Sequence, residues 1–185
     1  MRLAGRNASL FCMKSSNSRS AWLLAGLIGG VGIPDVAEGD PADLAANANT
    51  VIGANAQLSD GAAALMSGEW QRGVELTEAG ISGTLSREDH AAALANLCAG
   101  YAALKQFQKA LGFCDQSLTI METNWRTWQN RAACHLGLGK IEESLQDIQR
   151  GLQLNPDSDA LQKTLAIARE YEKLQQERMQ HLLES

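Results

Sequence analysis

The sequence has few of the residues from which catalytic and metal sites are built. Only three histidines occur among its 185 residues, and they are far apart, at positions 90, 135 and 181. It contains no CxxC pair, no nucleophile elbow and no phosphate-binding glycine loop. The group Glu88-Asp89-His90 is better explained as the capped start of a helix than as a catalytic site. We therefore expect no enzyme activity, no cofactor and no metal site.

Long apolar runs are also absent. The longest, residues 21–33, has 13 residues, whereas a helix that spans a bilayer needs about 20. Basic residues precede this run and Ala37-Glu38-Gly39 follow it, which is typical of a secretory signal peptide. We predict a leader over residues 1–39, with Met13 as an alternative start, and a periplasmic or secreted product. The alternatives are a cytoplasmic adaptor and an uncleaved leader that contacts a membrane.

The charge of the chain changes after the leader. Residues 1–39 hold four of the 16 Lys and Arg and two of the 21 Asp and Glu, which leaves a net charge of −7 on the remainder. Nucleic-acid binding depends on basic residues that neutralise phosphates, so we expect no nucleic-acid partner. Residues 40–54 are rich in Ala and Asn and predict a flexible linker.

The chain does carry a repeat of 34 residues. Shifting residues 91–124 onto residues 125–158 pairs Asn96 with Asn130, Ala99 with Ala133, Leu104 with Leu138, Leu111 with Leu145 and Leu118 with Leu152. A fixed period of this length indicates stacked helix pairs, because one pair cannot bury its own apolar face. A weaker copy lies at about 55–90, where Gly73 and Gly80 would let two helices approach closely.

The repeated residues resemble the tetratricopeptide repeat family. Its pattern of aromatic, Leu, Tyr, Ala and Pro positions is met in part by Tyr101 and Ala110 and then by Trp128 and Pro156. The resemblance implies an all-α superhelix of about three helix pairs, at about 55–90, 91–124 and 125–158, with a C-terminal capping helix over 159–185. Arg131 departs from the pattern by replacing a core Leu, which requires either looser packing or a paired site for its charge.

The resemblance also implies a function, because the first helices of these repeats line a groove that holds a peptide. Trp125 is the expected exposed anchor beside this groove, whereas Trp128 is expected in the repeat core. The pattern that clamps chaperone C-termini is absent, because Leu58 and Ala62 replace its first basic and amide residues. The groove residues carried over by position are Asn96, Ala99, Arg126, Gln129, Asn130 and Ala133.

We therefore predict a protein or peptide partner. Two alternatives remain open: the short side chains could serve close helix packing alone, or the chain could form a homo-oligomer through its last helix.

Three cysteines fall on helix faces of the implied repeats. Buried free thiols are common in such positions. If the chain is exported, a disulfide is permitted. In the implied architecture the pair would be Cys114 with Cys134, across neighbouring repeats, and Cys98 would stay unpaired.

Overall fold

A computed structural model describes Asp40, Ala42, Leu44 and residues 55–185. These residues belong to one compact unit that spans Ile33–Ser185. The predicted leader and most of the predicted linker lie outside the described residues.

Residues 55–185 fold into seven successive helices, and the described part of the chain contains no strand. Six of them form three antiparallel pairs and the seventh follows as a single long helix. The pairs are α1 (Ala56–Met66) with α2 (Trp70–Ile81), α3 (Arg87–Ala103) with α4 (Phe107–Ile120), and α5 (Trp125–Gly137) with α6 (Ile141–Leu154), and the last helix is α7 (Asp159–Glu184). The expected all-α architecture of three helix pairs and a final helix is confirmed. Within the described residues, no helix has the length and apolar character that a membrane span needs.

Side-chain caps mark the start of the first helix of each pair and of α7. The capping oxygens of Asn55, Ser86, Asn124 and Ser158 each accept a hydrogen bond from a main-chain N–H two or three residues later. This satisfies a donor that the first turn of a helix leaves without a partner. The local sequence therefore defines where α1, α3, α5 and α7 begin.

A tight turn joins the two helices of each pair. In each turn the second residue after the end of the first helix has a left-handed backbone conformation. Its φ is 82° at Gly68, 59° at Lys105 and 73° at Gly139. Glycine adopts this region without a steric penalty, whereas a residue with a Cβ pays about 1 kcal/mol. Lys105 is therefore the one residue of the three that holds its turn against a local preference.

The helices α1 and α2 pack closely through glycine. A Cβ placed on Gly73 would lie 2.5 Å from Leu65 Cγ, and one placed on Gly80 would lie 2.7 Å from Leu58 Cδ2. The expectation that these two glycines permit a close helix approach is confirmed.

Two large apolar clusters run through the stack, and a small third one joins α1 to α3. The first joins α1 to α5 and the second joins α5, α6 and α7. The first contains Leu65, Val74, Leu97, Cys98, Tyr101, Ala102, Ala110, Leu111, Cys114, Ala133 and Cys134. The second contains Ala132, Leu136, Ile148, Ala168 and Tyr171. Because α5 contributes to both clusters, it is the helix through which the array holds together.

Arg131 occupies a paired site, which is the second of the two outcomes expected for it. Its Nε and Nη2 donate to the carboxylate of Asp147 in α6 at 2.9 and 2.7 Å, and its Nη1 donates to Asp115 in α4 at 2.8 Å. The guanidinium therefore joins two outer helices to α5. Arg131 thus connects α5 to α4 and α6 at a position where the repeat pattern has a core Leu.

The predicted Cys114–Cys134 disulfide is wrong. Cys98 in α3 is bonded to Cys114 in α4, and Cys134 is a buried free thiol. The Cα atoms of Cys98 and Cys114 are 5.2 Å apart, which is within the normal range for a disulfide. Cys98 and Cys114 face each other where α3 and α4 pack together. Apolar periodicity predicts the face of a helix on which a residue lies, but it does not predict which residue of the neighbouring helix lies opposite.

Candidate functional site

The first helices of the pairs present one shared surface, called here the inner face. On α5 its residues are spaced three and four apart, so they lie on one side of the helix. The inner face consists of Asn96, Ala99, Arg126, Gln129, Asn130 and Ala133, the residues predicted to bind a ligand.

The inner face is covered. On α3, every residue from Ala91 to Ala102 is buried, and on α5 both Gln129 and Asn130 are inaccessible. A helix at the surface of a protein normally leaves a stripe of its circumference exposed to water. The stretch Ala91–Ala102 of α3 leaves no such stripe exposed, so the side that would otherwise form a groove is closed to water.

The described residues of the predicted linker lie against this face. They are Asp40, Ala42 and Leu44, called here the 40–44 segment. Ala42 and Leu44 are helical, and Ala42 is only 4% exposed. Leu44 packs against both apolar clusters. A part of the chain predicted to be a free linker is thus packed on the repeats.

Polar contacts fix the 40–44 segment at both of its ends. Asp40 forms an ion pair with Lys105 in the turn after α3, and its Oδ1 accepts the N–H of Ala42 at 2.9 Å, as a helix cap does. At the other end, Gln129 Nε2 donates to the main-chain carbonyl of Leu44 at 3.1 Å. The segment therefore runs from the turn of the second helix pair to the middle of α5.

The charge of Asp40 is stabilised in this position. Burial by itself would raise the pKa of the Asp40 carboxyl. The hydrogen bond and positive charge of Lys105, with the N–H of Ala42, outweigh that effect and hold the pKa below its usual value. The pair is partly exposed, so salt screens it.

The two amide side chains of α5 have different surroundings. Asn130 Nδ2 donates to the carbonyl of Ala95 in α3 at 3.4 Å, so this amide joins two inner helices. Gln129 is 1% exposed, and its Oε1 has no hydrogen-bond partner among the described residues. Gln129 thus combines a bond to the main chain of Leu44 with a buried acceptor that has no partner among the described residues.

The edge of the inner face remains accessible. Arg126 and Trp125 are both half-buried, and the Arg126 guanidinium lies 4.4 Å from the centre of the Trp125 ring. Trp128 does not fill the repeat core as predicted. It is half-buried, it donates its indole N–H to the carbonyl of Glu122 at 2.6 Å, and Arg131 lies over its ring.

The first two positions of the chaperone clamp are apolar and closed. Leu58 and Ala62 in α1 are buried, so neither presents a group to a carboxylate. Among the residues that the structure describes, no cluster of His, Cys, Asp or Glu could hold a metal ion.

Sequence reasoning missed the 40–44 segment and its partner Lys105. A signal was present, because Asp40-Pro41 followed by apolar residues is a pattern typical of a helix start. The flanking Ala and Asn residues concealed it.

Comparison with known proteins supports the fold. No family model matches the chain. Mouse sperm-associated antigen 1 is 27% identical over 113 residues, which are 61% of this chain and 12% of that protein. The chain thus spans about an eighth of the length of this relative.

The similar solved structures include two tetratricopeptide repeat domains. The first tetratricopeptide domain of human RPAP3 has a TM-score of 0.59 and 18% identity, and the match covers 65% of this chain and 93% of that domain. The first tetratricopeptide domain of Spaghetti (RPAP3), bound to the HSP90 peptide SRMEEVD, has a TM-score of 0.55 and 19% identity, over 62% of this chain and 88% of that one. At these identities the likeness concerns the fold, and the chain has the helical superhelix fold of tetratricopeptide repeat domains.

Proposed function

We propose that this chain is an interaction module without catalytic function and that its inner face binds a peptide from a partner protein. The observation that carries the proposal is the bond from Gln129 Nε2 to the carbonyl of Leu44. Through it, a buried side chain of the inner face already holds a peptide main chain.

The chemistry of Gln129 suits a peptide main chain. Its amide offers two donors and an acceptor, and a peptide presents carbonyl and N–H groups in turn. A buried acceptor without a partner costs about 1–3 kcal/mol. Gln129 Oε1 is in that state among the described residues, so a peptide N–H that donates to it would regain part of this energy.

The similar structures support peptide binding, and the residues of this chain indicate which part of a partner protein would bind. One of the similar domains was solved with an HSP90 peptide. In this chain Leu58 and Ala62 are apolar and buried, so no clamp for a terminal carboxylate forms at their positions. We therefore expect an internal segment of the partner, held through its main chain, with Arg126 and Trp125 contacting it at the edge.

The proposal is tested by selecting peptides from a random library on the purified chain and then mapping where they bind. A photo-reactive benzoylphenylalanine replaces Arg126 on the inner face or Gln146, which is exposed on α6. We expect the selected peptides to cross-link to the chain from position 126. Cross-links that form from position 146, with none from 126, would contradict the proposal.

We also propose that the leader directs export, so that the module acts in the periplasm or outside the cell. The support is the 13-residue apolar run and the small residues before Asp40. The leader also has four basic residues and no acidic residue before Asp35, a composition shared with organelle transit peptides. Intact mass after fractionation tests this: a chain beginning near Asp40 in the periplasm is expected, whereas a full-length cytosolic chain, or a chain imported into an organelle, would overturn it.

Self-association through α7 is the second candidate function. Its last turns expose Met179, Leu182 and Leu183, the last at 81%. Sedimentation of the wild-type chain, compared with a chain that carries Leu182→Ser and Leu183→Ser, tests for self-association. A dimer that the substitutions dissociate would favour self-assembly, and a wild-type monomer would exclude it.

A further inference from the structure

The 40–44 segment already packs on the inner face, so its contacts indicate which kind of ligand this face prefers. Asp40 caps the helical turn that contains Ala42 and Leu44, and the side chains of Asp40 and Leu44 both contact the repeats. Asp40 contacts Lys105, and Leu44 contacts both apolar clusters. The face thus offers a cation and an apolar site at the spacing of one helical turn.

The conformation of Lys105 points to the same site. In the first and third helix pairs the equivalent turn position is Gly68 or Gly139, which tolerate positive φ. Lys105 takes φ of 59° in spite of its Cβ. The turn itself requires this conformation, because the same main-chain hydrogen bond closes all three turns, so a lysine stands here at a local cost that glycine avoids. The contact that Lys105 makes is the ion pair with Asp40.

We propose that the inner face recognises a short helical peptide that has a carboxylate at its first position and a leucine four residues later. The 40–44 segment occupies this site until such a peptide, supplied by a partner protein, displaces it. This inference rests on the proposed function and deepens it. The apparent affinity for a partner is then the intrinsic affinity multiplied by the fraction of time that the site is free of the 40–44 segment.

Weakening the segment tests the competition directly. The probe is a fluorescein-labelled peptide with the sequence of residues 40–47, and its binding to full-length chains is followed by fluorescence anisotropy. The test chain carries Asp40→Asn with Leu44→Ala. A matched control chain carries Asp60→Asn with Leu138→Ala, the same chemical changes at two exposed positions, one on α1 and one in the turn after α5.

The expected result is that the test chain binds the probe at least about tenfold more tightly than wild type, because its site is open more of the time. The control chain should match wild type. A probe peptide with both anchors replaced should bind none of the chains. Equal affinity of wild type and test chain for the probe would overturn the proposal.

A charge exchange provides a second test that does not depend on the stability of the test chain. Lys105 is exposed in a turn, so Lys105→Glu should fold. Wild type should prefer the probe that begins with Asp, and Lys105→Glu should prefer a probe that begins with Lys. The same preference in both chains would overturn the assignment. If library peptides cross-link from position 126 while the probe binds no chain, the proposed function stands and this inference fails.

Discussion

Replacing Arg131 tests how the helix pairs are held together. Arg131 makes two hydrogen bonds to Asp147, at 2.9 and 2.7 Å, and the Asp147 side chain is only 6% exposed. Arg131→Met would leave that carboxylate buried without its cation. Breaking a buried ion pair from one side costs about 3–5 kcal/mol. Because the Arg131 side chain is itself 22% exposed, water moderates the loss, and we expect about 3 kcal/mol.

Unfolding by urea and by heat is monitored by circular dichroism. A double variant separates the effect of the unpaired charge from the effect of lost packing. Adding Asp147→Leu to Arg131→Met removes the stranded charge, so stability should return to within about 1 kcal/mol of wild type. Arg72→Met is the matched control, since Arg72 forms an exposed pair with Glu69, and it should leave the midpoint unchanged. If Arg131→Met unfolds at the wild-type urea concentration, or if the double variant is no more stable than the single one, the reasoning is refuted.

Three further predictions follow from individual side chains. Cys98→Ala, or reduction of the Cys98–Cys114 bond, should destabilise the chain by about 3 kcal/mol, because the bond spans 16 residues; an unchanged melting temperature with reductant would contradict this. Burial holds the pKa of His135 below its usual value, so the unfolded chain binds more protons near neutrality and stability should fall as pH decreases from 7 to 5; His135→Asn should flatten that slope, and an unaltered slope would refute the assignment. Gly73→Ala should destabilise by about 1–3 kcal/mol through overlap with α1, whereas Gly112→Ala, where a Cβ meets nothing within 4 Å, should stabilise by about 0.5–1 kcal/mol; equal effects in urea unfolding would contradict the packing.

The array of helix pairs was predictable because its signals are local and repeated. Asn124 and Ser158 cap helices 34 residues apart, as the period predicts. The small residues Gly73 and Gly80 stand where two helices touch. The site of Arg131 could be predicted only as one of two alternatives, because the acidic partners come from two other helices.

The features that escaped prediction depend on contacts between distant residues. Periodicity places Cys98, Cys114 and Cys134 on buried faces but does not say which two meet, and the geometry of one helix pair decides it. Trp128 matches a core position of the family, yet the arginine over its ring and the carbonyl of Glu122 hold it near the surface.

The 40–44 segment escaped prediction for the same reason. The contact from Leu44 to Gln129 spans 85 residues, so no local pattern could reveal it. The candidate ligand-binding residues of α5 were assigned by position, whereas the contact of Leu44 with Gln129 could not be.

A titration of the isotope-labelled chain with the 40–47 peptide, followed by NMR amide shifts, would locate the binding surface residue by residue. We predict that the largest shifts fall on the inner helices, around Asn96, Lys105 and Gln129. Shifts confined to the outer helices α2, α4 and α6 would show that the inner face is not where this protein binds peptides.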